Sequence, residues 1–262
     1  MSTTVNIRAL VVRAAGVNCE RETLLALESA GAKPDLLHMQ QLIDAPSRFD
    51  DYSLLVLPGG FSYGDDIAAG RVLGFEMRSF LGEALSRFVA RGGYVLGVCN
   101  GFQVLVDTGL LESVSAKPSE RTIALTANVS GHYECRWITL RNEPSACKWL
   151  EAGALWPTPV AHGEGRLMFK DPSALARLRE NGQIALRYVA RDGGAPQYPD
   201  CPNGSTEAIA GLCDRTGRVF GLMPHPERNV APWHHPRWTR NAPRAEGEGL
   251  EFYRRLVAAA GA

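Results

Sequence analysis

The residues most capable of chemistry are Cys99, in GVCNGFQVL (97–105), and His225 with Glu227, in GLMPHPER (221–228). Gly97 and Gly101 stand two residues before and two after the cysteine, the spacing that lets a strand and a helix pass closely around a nucleophile on a sharp, strained turn. A helix starting near Asn100 would aim unpaired N–H groups and its dipole at the sulfur, which favours the thiolate. Read alone, Cys99 is equally a small apolar residue filling a core.

A thiol nucleophile needs a base. Of the six histidines (His38, His132, His162, His225, His234 and His235), only His225 directly follows a buried strand pattern, at a strand end of the kind where open α/β sheets place functional groups. Glu227 lies two residues on, and in extended chain i and i+2 point the same way, so the carboxylate can fix the imidazole tautomer. Pro224 and Pro226 stiffen the segment. The alternative is a surface loop with a solvated His and Glu. The spacing of His225, His234 and His235 fits no usual metal-ligand pattern, so no metal is expected.

Thioester chemistry passes through an oxyanion that needs two N–H donors. LVLPGGFSYGDD (55–66) ends an apolar run in Pro58, Gly59 and Gly60. Gly60, with Gly59 beside it, and Asn100, the residue after the nucleophile, are the candidate donors. A plain tight turn is the competing reading of Gly-Gly there.

The elements that must position these residues are legible as alternating short apolar runs and helical patterns. RALVVR (8–13), a helix in NCERETLLALESAG with Asn18 as N-cap and Gly31 at its end, PDLLHM and YSLLVLPGG read as βαβ units of a parallel sheet. Residues 75–91 read as an amphipathic helix closed by Gly92 and Gly93, followed by a buried strand, YVLGV (94–98), that ends at Cys99. After Gly109 the pattern turns antiparallel: CRWITL, GRLMF and QIALRYVA are strands, with one helix from Pro172 to Glu180 capped by Asp171. AIAGLCD and GRVFGLM return to the main sheet, and a Pro- and Trp-rich loop (229–244) leads to a last helix from about Ala245 to Ala260. With no repeat or low-complexity linker, residues 1–262 are expected to form one domain, with a C-terminal extension and helix over about 229–262.

Composition excludes several classes. Of 262 residues 45% are hydrophobic, and 28 basic residues balance 28 acidic ones, so neither nucleic acid nor an anionic membrane is expected as a partner. No apolar run approaches a membrane span and the N-terminus lacks a secretory pattern, which makes the cytoplasm the expected location. The six scattered cysteines form no CxxC pair and read as free thiols. Cys19, at a helix start but with no histidine nearby in a recognisable motif, reads as structural.

These segments together resemble the class I glutamine amidotransferases: PGG for the oxyanion strand, GxCxGxQ (Gly97 to Gln103) for the nucleophile and HxE (His225, Glu227) for the rest of a triad. More closely, the chain is similar to the glutaminase subunits of phosphoribosylformylglycinamidine synthases. That likeness rests on GVNCERET (16–23), LPGGFSYGDDIAAGR (57–71), NVSGHYECRW (128–137), VAHGEGR (160–166), PNGS (202–205) and GLMPHPER. It implies an α/β, flavodoxin-like fold: an open, mostly parallel sheet flanked by helices, with an additional small antiparallel sheet. It implies that Cys99 attacks the side-chain amide of glutamine, and that a γ-glutamyl thioester is then hydrolysed by water activated by His225. Gln103 and Phe61, and also Asn128 and Ser130, would hold the glutamine.

Forming an amidine from a formylglycinamide ribonucleotide requires ATP, yet the chain has no GxxxxGK[ST] and no GxGxxG, and its only lysines are Lys33, Lys117, Lys148 and Lys170. ATP and Mg are therefore expected on a synthetase partner, which receives the ammonia through a protein interior, with a small adaptor subunit as a further partner and no cofactor in this chain. GVNCERET, FSYGDDIAAGR and AHGEGR exceed what a bare glutaminase needs, so they either support the site, face the synthetase or serve packing. The alternatives are a glutaminase subunit for another amide acceptor, a stand-alone cysteine hydrolase of the same fold, and a binding or redox-sensing module.

Overall fold

In the computed structural model, residues 7–65, 67–112, 120–240 and 242–262 are described; Lys117, Asp66 in the GDD run and Asn241 in the Pro- and Trp-rich loop lie outside them. The parallel half is built from β1 (Arg8–Arg13), α1 (Glu20–Ser29), β2 (Lys33–His38), α2 (Met39–Asp44), β3 (Leu54–Leu57), α3 (Arg71–Ala90), β4 (Tyr94–Val98) and α4 (Asn100–Thr108). The later elements are β5 (Ile123–Thr126), β6 (Glu134–Asn142), β7 (Leu155–His162), β8 (Arg166–Phe169), α5 (Pro172–Glu180), β9 (Ile184–Val189), β10 (Ile209–Cys213), β11 (Val219–Leu222) and α6 (Glu248–Ala260).

One nine-stranded sheet has the order β2-β1-β3-β4-β11-β10-β9-β6-β7. From β2 to β11 every pairing is parallel, the doubly wound arrangement expected from the βαβ pattern. From β11 to β7 the pairings are antiparallel, so most of the second half extends the main sheet. The small separate antiparallel sheet is β5 with β8.

β3 and the second to fifth residues of β4 are buried throughout, which explains why they read as unbroken apolar runs: both faces are covered by helices. Burying each such Leu or Val contributes roughly 1.5–3 kcal/mol relative to leaving it in water. α3 packs on α4, and α1 on α6. Cys99 follows the carboxyl end of β4 directly, and His225 and Glu227 follow that of β11.

Local signals set most boundaries. α5 runs from Pro172 to Glu180 as the spacing requires, with Asp171 Oδ1 accepting from the Ala174 N–H at 3.0 Å. Three boundaries differ from expectation. The N-cap of α1 is Cys19, whose side chain makes no capping bond, instead of Asn18. α3 begins at Arg71, four residues early, because Gly70 in the left-handed region ends the preceding turn. α6 begins at Glu248 instead of Ala245, the preceding chain being held by Gly247 N–H to Val230 O at 2.9 Å.

β7 is unexpected, because Pro157 and Pro159 argue against a strand. It pairs on one side only, with β6, as an edge strand can. Its carbonyls also hold the 225–229 segment: Pro159 O accepts from His225 N–H and Pro157 O from Asn229 Nδ2, each at 2.8 Å.

Candidate active site

Cys99 sits between the last residue of β4 and the first of α4 with φ 52° and ψ −107°. A non-glycine residue at positive φ is strained, and the surroundings must hold it there. The grip is visible: Cys99 N–H donates to Leu222 O at 2.8 Å, and Cys99 O accepts from Phe102 and Gln103 N–H. Gly97 and Gly101 serve as the spacing required. A Cβ on Gly97 would lie 2.5 Å from Gly101 O, and one on Gly101 would lie 1.9 Å from Leu57 O. Only glycines let β3, β4 and α4 converge this closely.

His225 and Glu227 follow β11, the parallel neighbour of β4. Both are almost fully buried, and His225 Nδ1 lies 2.5 Å from Glu227 Oε1. Burial works against a charged imidazole, but the Glu227 carboxylate, followed by Cys99, outweighs it and holds His225 well above the ordinary histidine value. The pairing leaves His225 Nε2 buried and without a partner among the described residues, so this nitrogen is free to serve the reaction.

The three segments meet over Gly59. A Cβ there would stand 2.8 Å from His225 Cε1, 3.0 Å from Cys19 Sγ and 3.5 Å from Cys99 Cβ. Gly59 O accepts from the Asn18 and Cys19 N–H groups, and Gly60, at φ 142°, forms a bridge with Val17. GVNCERET thus supports the PGG loop directly. Asn100 is buried; its Oδ1 accepts from Ser62 N–H at 3.2 Å, fastening the FSYG segment to the start of α4. Asn100 and Gly101, the first two residues of α4, have no preceding helical carbonyl for their N–H groups, the condition for an oxyanion donor.

The remaining pocket candidates divide. Phe61, directly after Gly60, is exposed, with its ring centroid 6.3 Å from that of Tyr133. Gln103 Oε1 accepts from Asn100 Nδ2 at 2.9 Å and its Nε2 donates to Glu164 O at 2.5 Å. Asn128 donates to His132 O and His162 O, and accepts from Gly165 N–H. Both amides are therefore bonded to the chain itself, holding the AHGEGR loop over α4. Ser130 Oγ accepts from His132 N–H at 3.3 Å, and Ser130 lines a cleft with Gln197, Tyr198 and Cys201, of which Cys99 is not a wall.

Cys19 corrects an expectation. Its thiol, the His225 ring and the Glu227 carboxylate have ligand atoms within 4.8 Å of one another, and Arg228 donates to Cys19 Sγ at 3.0 Å. The residue read as structural thus borders the candidate base, His225. Sequence spacing could not show this, because α1 and the 225–228 segment meet only across the sheet; the available signal was the position of Cys19 just beyond a parallel strand. His162 was also passed over. It is buried, and its Nδ1 lies 3.1 Å from Asn128 Oδ1. Burial, followed by the His225 charge, lowers its pKa to about 3, so it stays neutral at physiological pH.

A cysteine on a strained strand-to-helix turn, beside a buried His–Glu pair on a doubly wound sheet, is the arrangement of a glutamine amidotransferase, and the CobB/CobQ-like glutamine amidotransferase domain matches residues 6–258. The chain is 42% identical over 254 residues to phosphoribosylformylglycinamidine synthase subunit PurQ of Dehalococcoides mccartyi, covering 96% of each chain. It is 41% identical over 225 residues to that of Methanococcus maripaludis, covering 85% of this chain and 82% of the other. The structure of PurLQS from Thermotoga maritima contains a chain 32% identical to it, with a TM-score of 0.72 and coverage of 97% and 98%. The chain belongs to the PurQ family of glutamine amidotransferases.

Proposed function

We propose that this chain is the glutaminase subunit of a phosphoribosylformylglycinamidine synthase, acting in purine biosynthesis. It hydrolyses glutamine to glutamate and hands the ammonia to a synthetase subunit. The observation that carries the reading is Cys99 at φ 52° beside the buried His225–Glu227 pair, in a chain 42% identical to a PurQ subunit over nearly its whole length.

The chemistry follows from the geometry. Cys99, as thiolate, attacks the amide carbon of glutamine, and the oxyanion formed is held by backbone N–H groups at Asn100 and at Gly60. His225, protonated and oriented by Glu227, gives its proton to the leaving nitrogen, so ammonia departs and a γ-glutamyl thioester remains on Cys99. Water then enters; His225 takes its proton, hydroxide attacks the thioester, and glutamate leaves with the thiolate restored. Phe61 and Tyr133 form one wall of the entrance, while Gln103 and Asn128 hold the loop that closes the other.

Free ammonia in water is protonated and no longer nucleophilic, so a glutaminase that feeds a ligase must release it into a sheltered route. The synthetase carries ATP and Mg, since this chain has no phosphate-binding glycine loop. PurLQS in its relative is a three-component assembly by name, and an equivalent synthetase and a small adaptor are the partners proposed here. No described helix is long and apolar enough to cross a membrane, and the cytoplasm is the proposed location.

Glutamate release by the purified chain, measured with and without its synthetase, nucleotide and acceptor, tests the reading. The expected outcome is a low rate alone that rises when all three are added. A full rate alone, unaffected by any synthetase, would favour a stand-alone hydrolase instead.

A further inference from the structure

The triad carboxylate has two oxygens, and only one is accounted for by His225. Glu227 Oε2 is buried without a hydrogen-bond partner among the described residues, and so is the hydroxyl of Tyr253, on α6. A buried carboxylate oxygen with no donor is costly, and native proteins rarely leave one so.

Two neighbouring donors are committed elsewhere. Arg228 Nε lies 3.3 Å from Glu22 Oε1, and its Nη2 donates to Cys19 Sγ. The Thr23 hydroxyl donates to Cys19 O at 2.7 Å. Tyr253 is fully buried; burial, then the Glu227 carboxylate ahead of Cys19 and Glu22, pushes its phenol well above the ordinary value, with the Thr23 hydroxyl acting weakly the other way. It therefore keeps a proton to donate, and it lies one helical turn beyond Gly249, on the face of α6 that meets the 226–229 segment.

The backbone shows that this approach is built in. Gly249 at the start of α6 lies so near the triad segment that a Cβ would stand 2.0 Å from Pro226 O, and a Cβ on Gly247 would stand 2.0 Å from Asn229 O. Gly249 N–H donates to Asn229 O at 2.9 Å, and Asn229 Nδ2 donates to Glu248 Oε2 at 2.8 Å. The start of the final helix is thus held against residues 226–229 by two hydrogen bonds and two close backbone approaches.

We propose that Tyr253 is a positioning residue for catalysis: its hydroxyl serves Glu227 Oε2, directly or across one water, and so fixes the carboxylate that orients His225. The C-terminal helix is then part of the catalytic apparatus. This inference rests on the proposed glutaminase reading only for its meaning, because its test needs no glutamine turnover.

The test is the pH profile of Cys99 alkylation by iodoacetamide in the full-length chain, with the Cys99 peptide quantified by mass so that Cys19 does not contribute. Tyr253→Phe removes only the hydroxyl and keeps the ring, whose centroid is 5.6 Å from that of Phe252, so the thermal midpoint is expected to hold. The proposal predicts a Tyr253→Phe profile displaced from wild type by at least half a pH unit. Superimposable profiles would overturn it and make Tyr253 a core filler. Glutamine turnover, run in parallel, separates the two claims: an inactive wild type contradicts the glutaminase reading, whereas displaced profiles sustain the role of Tyr253 regardless.

Discussion

Gly101 passes beneath Leu57 so closely that any Cβ on it would lie 1.9 Å from the Leu57 carbonyl oxygen. This contact joins the second residue of α4 to the last of β3, and it determines where Cys99, two residues earlier, presents its thiol. Gly101→Ala forces β3 and α4 apart. We expect a loss of about 3 kcal/mol in urea unfolding, at the upper end of overpacking costs. Glutaminase kcat should fall by at least about 100-fold, since a displacement on the order of 1 Å at a reacting group has that effect.

Glu227→Gln keeps the shape beside His225 but removes the charge and permits the wrong tautomer. In triads of this kind the change costs about 10⁴ in kcat, and a fall of about 10³ or more is expected here with the KM for glutamine little changed. Steady-state kinetics with a glutamate readout checks it.

Two buried histidines tilt stability in opposite directions. His162, lowered to about 3 when folded, binds its proton only in the unfolded chain between there and roughly 6.5. Its contribution is complete above that window and declines as pH falls through it, by at most about 1.4 kcal/mol per pH unit. His225, raised when folded, contributes fully below roughly pH 6.5 and less as pH rises beyond it. Urea unfolding at pH 6 and pH 5 should therefore show wild type losing about 1 kcal/mol more than His162→Gln.

Asp107, buried on α4, is the hub of three arginines: Arg78 at 2.7 Å, Arg71 at 3.4 Å, and Arg121. Removing the shared, buried acceptor leaves the part-buried guanidinium groups of Arg78 and Arg121 without it. Asp107→Ala is expected to lose about 3 kcal/mol of stability, read from the urea midpoint, with the KM for glutamine unchanged because the cluster lies at the far end of the helix from Cys99.

Much of this site was readable from local sequence, and the reason is that its parts are local signals. Cys99 between two glycines, and His225 two residues before Glu227, are patterns whose spacing alone fixes relative direction. α5 was legible to the residue because Asp171 and Pro172 mark its start. What spacing could not reveal is contact between segments. Cys19 meets His225 only once β1 and β11 lie in one sheet, and α6 reaches the 226–229 segment only once it has folded back. β7 was hidden for a different reason: its prolines contradict strand propensity, yet an edge strand tolerates them, and the carbonyls of Pro157 and Pro159 hold the triad segment. Gln103 and Asn128 carry amide groups suited to a ligand, and only the folded chain shows those groups bonded to Glu164, His132 and His162.

The central claim is that Cys99 forms a covalent γ-glutamyl bond under the control of His225. Intact mass after incubation with a chloroketone analogue of glutamine measures this most directly. The account predicts a single adduct, located on Cys99, competed by glutamine, absent in Cys99→Ser and strongly slowed in His225→Ala. Modification of Cys19 in place of Cys99, or labelling that persists in Cys99→Ser at the wild-type rate, would contradict it.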